Sequence, residues 1–192
     1  MPRSTPSADT ILDTALDLAE SCGWERLYLH DVATALNCDL AAIARHYRQK
    51  DDLVEAWLDR ADAALFERAR GAGLAALAPD KRLEELLMAW LGGIAAHRAL
   101  TGQMLLYKLE LGHVHLQVGA LLRVSRTVQW WREAARRHNL HLARVAEESL
   151  LSAVFLRTFV HWLRHPEVAD ADLRALLRRQ LRGGPLAWLL RA

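Results

Sequence analysis

Apolar residues recur along this chain at steps of three and four. Ile11, Leu12, Ala15, Leu16 and Ala19 share one face of a helix predicted over Ser7 to Cys22, and Gly23 stands where that helix should stop. Asp9 and Asp13 favour its start through the helix dipole. The spacing predicts a short helix near Asp31 to Asn37, another near Leu40 to His46, and a long one opened by Lys50 and ended by Gly71 and Gly73. After Ala78-Pro79-Asp80 the pattern restarts, with Asp80 as the expected N-cap and Leu83, Leu87, Trp90, Ile94 and His97 in step. Thr101 to Leu111 reads as a separate short helix, and Leu121, Val124, Val128, Trp131 and Ala135 as the face of one that ends near Asn139.

The stretch from Leu142 to Leu163 differs, because its large apolar side chains leave almost no polar face, so several sides should be covered. Arg157 interrupts it, and the unbroken apolar run falls short of the roughly 20 residues of a membrane span. A last helix is predicted over Asp170 to Arg182, before Gly183-Gly184-Pro185. Hairpin dipeptides and sustained alternation are missing, so the expected fold is all-α.

Composition narrows the class. With 52% hydrophobic and 25% charged residues over 192 positions, the chain can bury a core without disulfides or metal. No secretory signal opens it, and Cys22 and Cys38 lack C-x-x-C spacing, so reduced thiols and a cytoplasmic location are expected.

The segment from Asp31 to Tyr47 has the spacing of a helix-turn-helix. Ala33 is small where two helices cross, Asn37 tolerates a left-handed turn, Leu36, Cys38 and Ile43 are apolar where the pair packs, and Asp39 can cap the second helix. With Ile11, Ala15, Leu18, Gly23, Asp31-Val32-Ala33, Arg45-His46-Tyr47, Lys50 and Leu53, this stretch resembles the N-terminal domain of the tetracycline-repressor (TetR) family of transcriptional regulators. The resemblance implies a helix-turn-helix DNA-binding domain at 1–50 and a ligand-binding, dimerising domain at 51–192. It also implies a homodimer on palindromic operator DNA, released by a small hydrophobic effector. Lys50 then stands where the family's lysine touches a phosphate, and Leu40, Ala41, Ala42, Arg45, His46 and Arg48 fall on the recognition helix and its exit. No cofactor is implied.

Three features depart from that pattern. Ala44 replaces a tyrosine usually set against the DNA backbone, and Tyr28 replaces a small hydroxyl residue at the start of the second helix. Leu40, Ala41 and Ala42 can reach a thymine methyl but hydrogen-bond no base. Charge runs the same way: residues 1–55 hold five basic and ten acidic residues, whereas residues 121–192 carry thirteen basic and six acidic. A DNA-binding domain should show a basic footprint, and here only Arg45, His46, Arg48 and Lys50 cluster. A second resemblance supplies another reading. Gly23-Trp24 and the stretch Thr127 to Ala135 are similar to the TetR-like lipid-binding family of ubiquinone biosynthesis, which implies a lipid or isoprenoid binder without DNA binding. Under that reading alone, Arg174, Arg178, Arg179 and Arg182 could form a face for an acidic membrane or a partner.

Large side chains in the middle helices are either core or the lining of an apolar ligand cavity. Trp57, Trp90, His97, Met104, Tyr107 and Trp131 are the candidate ligand-binding residues, with His97 or Tyr107 as a polar handle. The dimer is expected on the helices at Leu142 to Leu163 and Asp170 to Arg182. Histidine pairs at 113 and 115, 138 and 141, and 161 and 165 lack a completing ligand, so no metal site is expected. No phosphate loop, nucleophile elbow or H-E-x-x-H suggests an enzyme.

Overall fold

A computed structural model describes residues 6–110 and 114–191. Arg3, the predicted helix end at Leu111 and the histidine at His113 lie outside the described residues. Among those described, all regular structure is helical: α1 (Ala8–Cys22), α2 (Leu29–Ala35), α3 (Leu40–Ala44), α4 (Lys50–Arg70), α5 (Pro79–Gly93), α6 (Arg98–Lys108), α7 (Val114–Ala134), α8 (His141–Arg164), α9 (Asp170–Leu181) and α10 (Gly184–Arg191). Single 3-10 turns lie at Leu74–Ala76 and Ala95–His97. No described helix is long and apolar enough to cross a membrane. Both cysteines are free and half-buried.

Local chemistry explains most boundaries. The Ser7 hydroxyl accepts from the Thr10 N–H at 3.1 Å at the start of α1, and Gly23, at φ 86°, closes it by donating to the Ala19 carbonyl at 2.8 Å. Several boundaries differ from the predicted ones, and one helix was not predicted. Asp80 does not cap α5: Pro79, whose ring presets a helical φ, starts it, and Asp80 instead accepts from Arg182 Nε at 2.7 Å. The same helix stops at Gly93, leaving His97 in a 3-10 turn. α7 begins at Val114, well before Leu121, and runs through Gly119, which a helix tolerates at a cost of about 1 kcal/mol. α10 was not foreseen: Pro185 sits in its first turn, and Leu186, Leu189 and Leu190 are buried.

The chain forms two compact units, residues 1–60 with 97–117 and residues 61–96 with 118–192. In the first, α1 packs on α2 and α6, and α2 on α3, around Ile11, Leu12, Leu16, Trp24, Leu27, Ile43 and Leu53, all 1% exposed or less. Each such side chain contributes about 1.5–3 kcal/mol on leaving water. Lys108 is buried with them, its ammonium 2.9 Å from Asp51 Oδ2 and 2.8 Å from Glu55 Oε1.

In the second unit α5 packs on α9 and α10, and α8 on α9 and α10. Three buried carboxylates organise it. Asp62 accepts from Trp90 Nε1 at 2.7 Å, Arg123 Nη2 at 2.8 Å and Thr127 Oγ1 at 3.2 Å. Glu84 is met by Lys81 at 3.0 Å and Arg178 at 3.0 Å. Glu147, fully buried, accepts from Arg137 Nε at 2.6 Å and Asn139 Nδ2 at 2.7 Å, and Arg137 also donates to the Leu189 carbonyl near the end of α10 at 2.7 Å. Within the single chain α8 is covered on part of its circumference. Leu151, Val154, Phe155, Phe159 and Trp162 are buried, but Leu142, Val145 and Leu156 are 85%, 59% and 42% exposed.

Candidate nucleic-acid interface and a neighbouring cleft

The turn between α2 and α3 is fixed by hydrogen bonds that the sequence makes possible. Asn37 adopts φ 49°, its N–H donates to the Thr34 carbonyl at 3.0 Å, and the Cys38 N–H donates to the Ala33 carbonyl at 2.9 Å. These two bonds close α2 as a Schellman motif with asparagine at the left-handed position. Asp39 Oδ1 then accepts from the Ala42 N–H at 2.8 Å and starts α3. The Tyr47 ring is buried and its hydroxyl donates to the Ala8 carbonyl at 3.0 Å, which ties the exit of α3 to the start of α1. Burial, followed by the nearby Asp9 carboxylate, raises the pKa of that hydroxyl and keeps it a donor.

Successive residues on a helix turn by about 100°, so α3 cannot present every side to one partner. Leu40, Ala41, Ala44, Arg45 and His46 are exposed, as is Arg48 beyond the helix. Ala42, expected to face base edges, is instead 4% exposed and packs inward beside Ile43. Asp52 Oδ2 accepts from the Arg48 N–H at 2.7 Å and the Gln49 N–H at 3.2 Å, which orders the approach to α4. Tyr28 and His30, stacked 5.3 Å apart at the start of α2, are also exposed, and sequence spacing gave no signal for this pair.

Lys50 is the least expected of these residues. Its ammonium turns inward and donates to the Trp24 carbonyl at 2.5 Å and the Glu25 carbonyl at 3.1 Å. It lies 5.1 Å from the centroid of the Trp24 ring and 5.4 Å from that of Tyr107. Burial lowers its pKa, opposed by the neighbouring Cys22 and Glu25.

The candidate ligand residues are divided between the two units. Trp57, His97, Met104 and Tyr107 belong to the first unit, Trp90 and Trp131 to the second. Trp57 donates to Thr101 Oγ1 at 2.8 Å and meets the His97 ring edge-on at 5.4 Å, while His97 Nδ1 lies 2.7 Å from Glu20 Oε1. Trp131 donates to the Leu83 carbonyl at 2.8 Å, and Trp90 packs on Phe155 and Phe159. Trp57, Trp90, Met104 and Trp131 are at most 3% exposed, and all three indole N–H groups are satisfied from within, as in a packed core. Tyr107 lines a cleft of about 330 Å³ with Trp24, Glu25, Gln103, Leu106 and Glu110. In the second unit a cleft of about 550 Å³ is lined by residues such as Pro79, Leu181 and Leu190, none of them a candidate. Among the described residues no three His, Cys, Asp or Glu side chains are placed to hold a metal ion.

The electrostatic imbalance of the sequence is partly corrected by contacts from outside the first 55 residues. Arg60 reaches Asp13 at 2.5 Å and Asp9 at 3.3 Å, and Lys108 neutralises Asp51 and Glu55.

No protein-family model matches the chain, and no curated protein matches it. Among solved structures, the TetR transcriptional regulator from Nitrosomonas europaea ATCC 19718 is 40% identical, with a TM-score of 0.81 over 94% of this chain and 98% of that one. A regulatory protein in the TetR family from Rhodococcus RHA1 is 18% identical over 96% of this chain and 95% of its own, with a TM-score of 0.47.

Proposed function

We propose that this chain, which belongs to the TetR family of transcriptional regulators, binds operator DNA as a homodimer through α3 and the entry to α4, and that a small hydrophobic effector releases it. The division of labour is a DNA-binding region at 1–50 and a ligand-binding, dimerising region at 51–192. One observation carries the reading: the Asn37 turn and the Asp39 cap hold α3 with Leu40, Ala41, Ala44, Arg45 and His46 outward, next to exposed Arg48. Arg45, His46 and Arg48 supply phosphate contacts, with Tyr28 and His30 as further backbone contacts. Leu40 and Ala41 touch thymine methyls, so the remaining discrimination comes from DNA shape. Lys50 reaches a phosphate only after leaving the Trp24 and Glu25 carbonyls.

Dimerisation through α8 and α9 would cover Leu142, Val145 and Leu156. Sedimentation should give a dimer at micromolar concentration, and Leu156→Glu should shift it toward monomer. Mobility shift against the DNA upstream of its own gene, at several salt concentrations, tests the whole reading. Arg48→Ala should weaken binding across sequences and reduce the salt slope by about 1. Absence of a shift at every salt concentration, from protein that sediments as a dimer, would end it.

A second reading, a lipid or isoprenoid binder without DNA contact, is favoured by the apolar outer face of α3. Its proposed membrane face is weakened by ion pairs: Arg174 and Arg178 bind Glu85 and Glu84, and Arg182 binds Asp80. Liposome binding lost with Arg179→Ala, in protein that shifts no DNA, would select it.

A further inference from the structure

The cleft beside the entry to α4 shares its walls with the cradle of Lys50. Trp24, Glu25 and Tyr107 line the cleft, and the same three residues hold the Lys50 ammonium through two carbonyls and two ring faces. This is the set of groups that recognises an organic cation: carbonyl oxygens to accept N–H bonds and aromatic faces to attract the charge. The rest of the wall suits the same chemistry. The Glu25 and Glu110 side chains are exposed carboxylates, and Leu106, 72% exposed, offers an apolar surface for an alkyl tail. Gln103 is fixed by accepting the Trp24 backbone N–H at 2.8 Å.

We propose that this cleft is a binding site for small primary alkylammonium compounds, with the Lys50 side chain as its built-in occupant. Two ammonium groups cannot share the Trp24 and Glu25 carbonyls, so an incoming ligand displaces Lys50. The displaced side chain is then free to meet a phosphate. The alkylammonium ligand and DNA therefore tighten each other's binding, which is opposite in sign to effector release. This coupling, though not the site, rests on Lys50 being a phosphate contact.

The site is tested without DNA, by calorimetric titration of the full chain with hexylammonium chloride and with 1-hexanol. An occupied site reports only its vacant fraction, so Lys50→Met should bind hexylammonium at least about tenfold more tightly than the parent. If that variant is misfolded by circular dichroism, Lys50→Gln serves the same purpose. Tyr107→Leu should remove the gain, whereas Tyr107→Phe should keep it, and 1-hexanol should not saturate either protein. Equal affinities with and without Lys50, or hexanol binding as tightly as the amine, would overturn the assignment. In mobility shifts, hexylammonium should raise the DNA affinity of the parent about fivefold or more and leave that of Lys50→Met unchanged. Should Lys50→Met bind DNA as the parent does, the phosphate role of Lys50 fails, and the cleft assignment is decided by the DNA-free titration.

Discussion

The two units treat charge in opposite ways. In the unit that carries the helix-turn-helix, most carboxylates are at the surface, and the cations that answer them come from far along the chain, as Lys108 does for Asp51 and Glu55. In the other unit Asp62, Glu84 and Glu147 are at most 6% exposed, and basic side chains converge on them. Charge summed over a segment therefore predicts neither surface. The basic C-terminal segment directs much of its charge inward, and the acidic N-terminal one is partly neutralised by residues outside it.

The difference breaks most sharply at Glu147. Glu147→Ala leaves the buried Arg137 without its carboxylate, takes from Arg132 the fully buried one of its partners, and frees the carbonyl-binding arginine under α10. Removing one partner of a buried pair costs about 3–5 kcal/mol. Urea unfolding should show that loss, and Glu147→Gln, which keeps an acceptor, should lose less.

Lys108 is the nearest counterpart in the other unit. Lys108→Met keeps the buried stem but leaves Asp51 and Glu55 facing each other, 12% and 30% exposed at their side chains. The expected loss is smaller, about 1–3 kcal/mol, because water reaches Glu55. DNA affinity should fall as well, since Asp51 and Glu55 near the start of α4 lose the charge of Lys108. Unchanged DNA binding with reduced stability would show that Lys108 serves the core alone.

Such pairs mark the limit of what the sequence discloses. Helix periodicity, Gly23 as a stop, Asn37 in the left-handed turn and the Asp39 cap were legible because each acts within a few residues. The outward face of α3 was not: a five-residue helix holding three alanines has too little amphipathic contrast to show that Ala42 turns inward while Ala41 and Ala44 turn out. Lys50 was readable as the first residue of α4, but its inward turn is held by the Trp24 and Glu25 carbonyls beside the Tyr107 ring, which no local pattern connects to it. The ligand-binding expectation pooled aromatics by type. Spacing alone cannot assign Trp57 and Tyr107 to one unit and Trp90 and Trp131 to another.

Arg60 gives the smallest expected effect and sharpens the comparison most finely. It lies in α4 and bridges Asp9 and Asp13, whose side chains are 86% and 58% exposed. A solvent-screened bridge of this kind contributes about 1 kcal/mol or less, so Arg60→Ala should barely move a urea midpoint. Its effect on DNA should be larger than its effect on stability, because two carboxylates of the helix-turn-helix unit would lose their cation. Screening over about 8 Å at physiological salt confines that effect to nearby phosphates. The DNA affinity of the Arg60→Ala protein should therefore drop at low salt and approach that of the parent as salt rises. A drop independent of salt would mean that Arg60 acts by holding α1 in place and not through its charge.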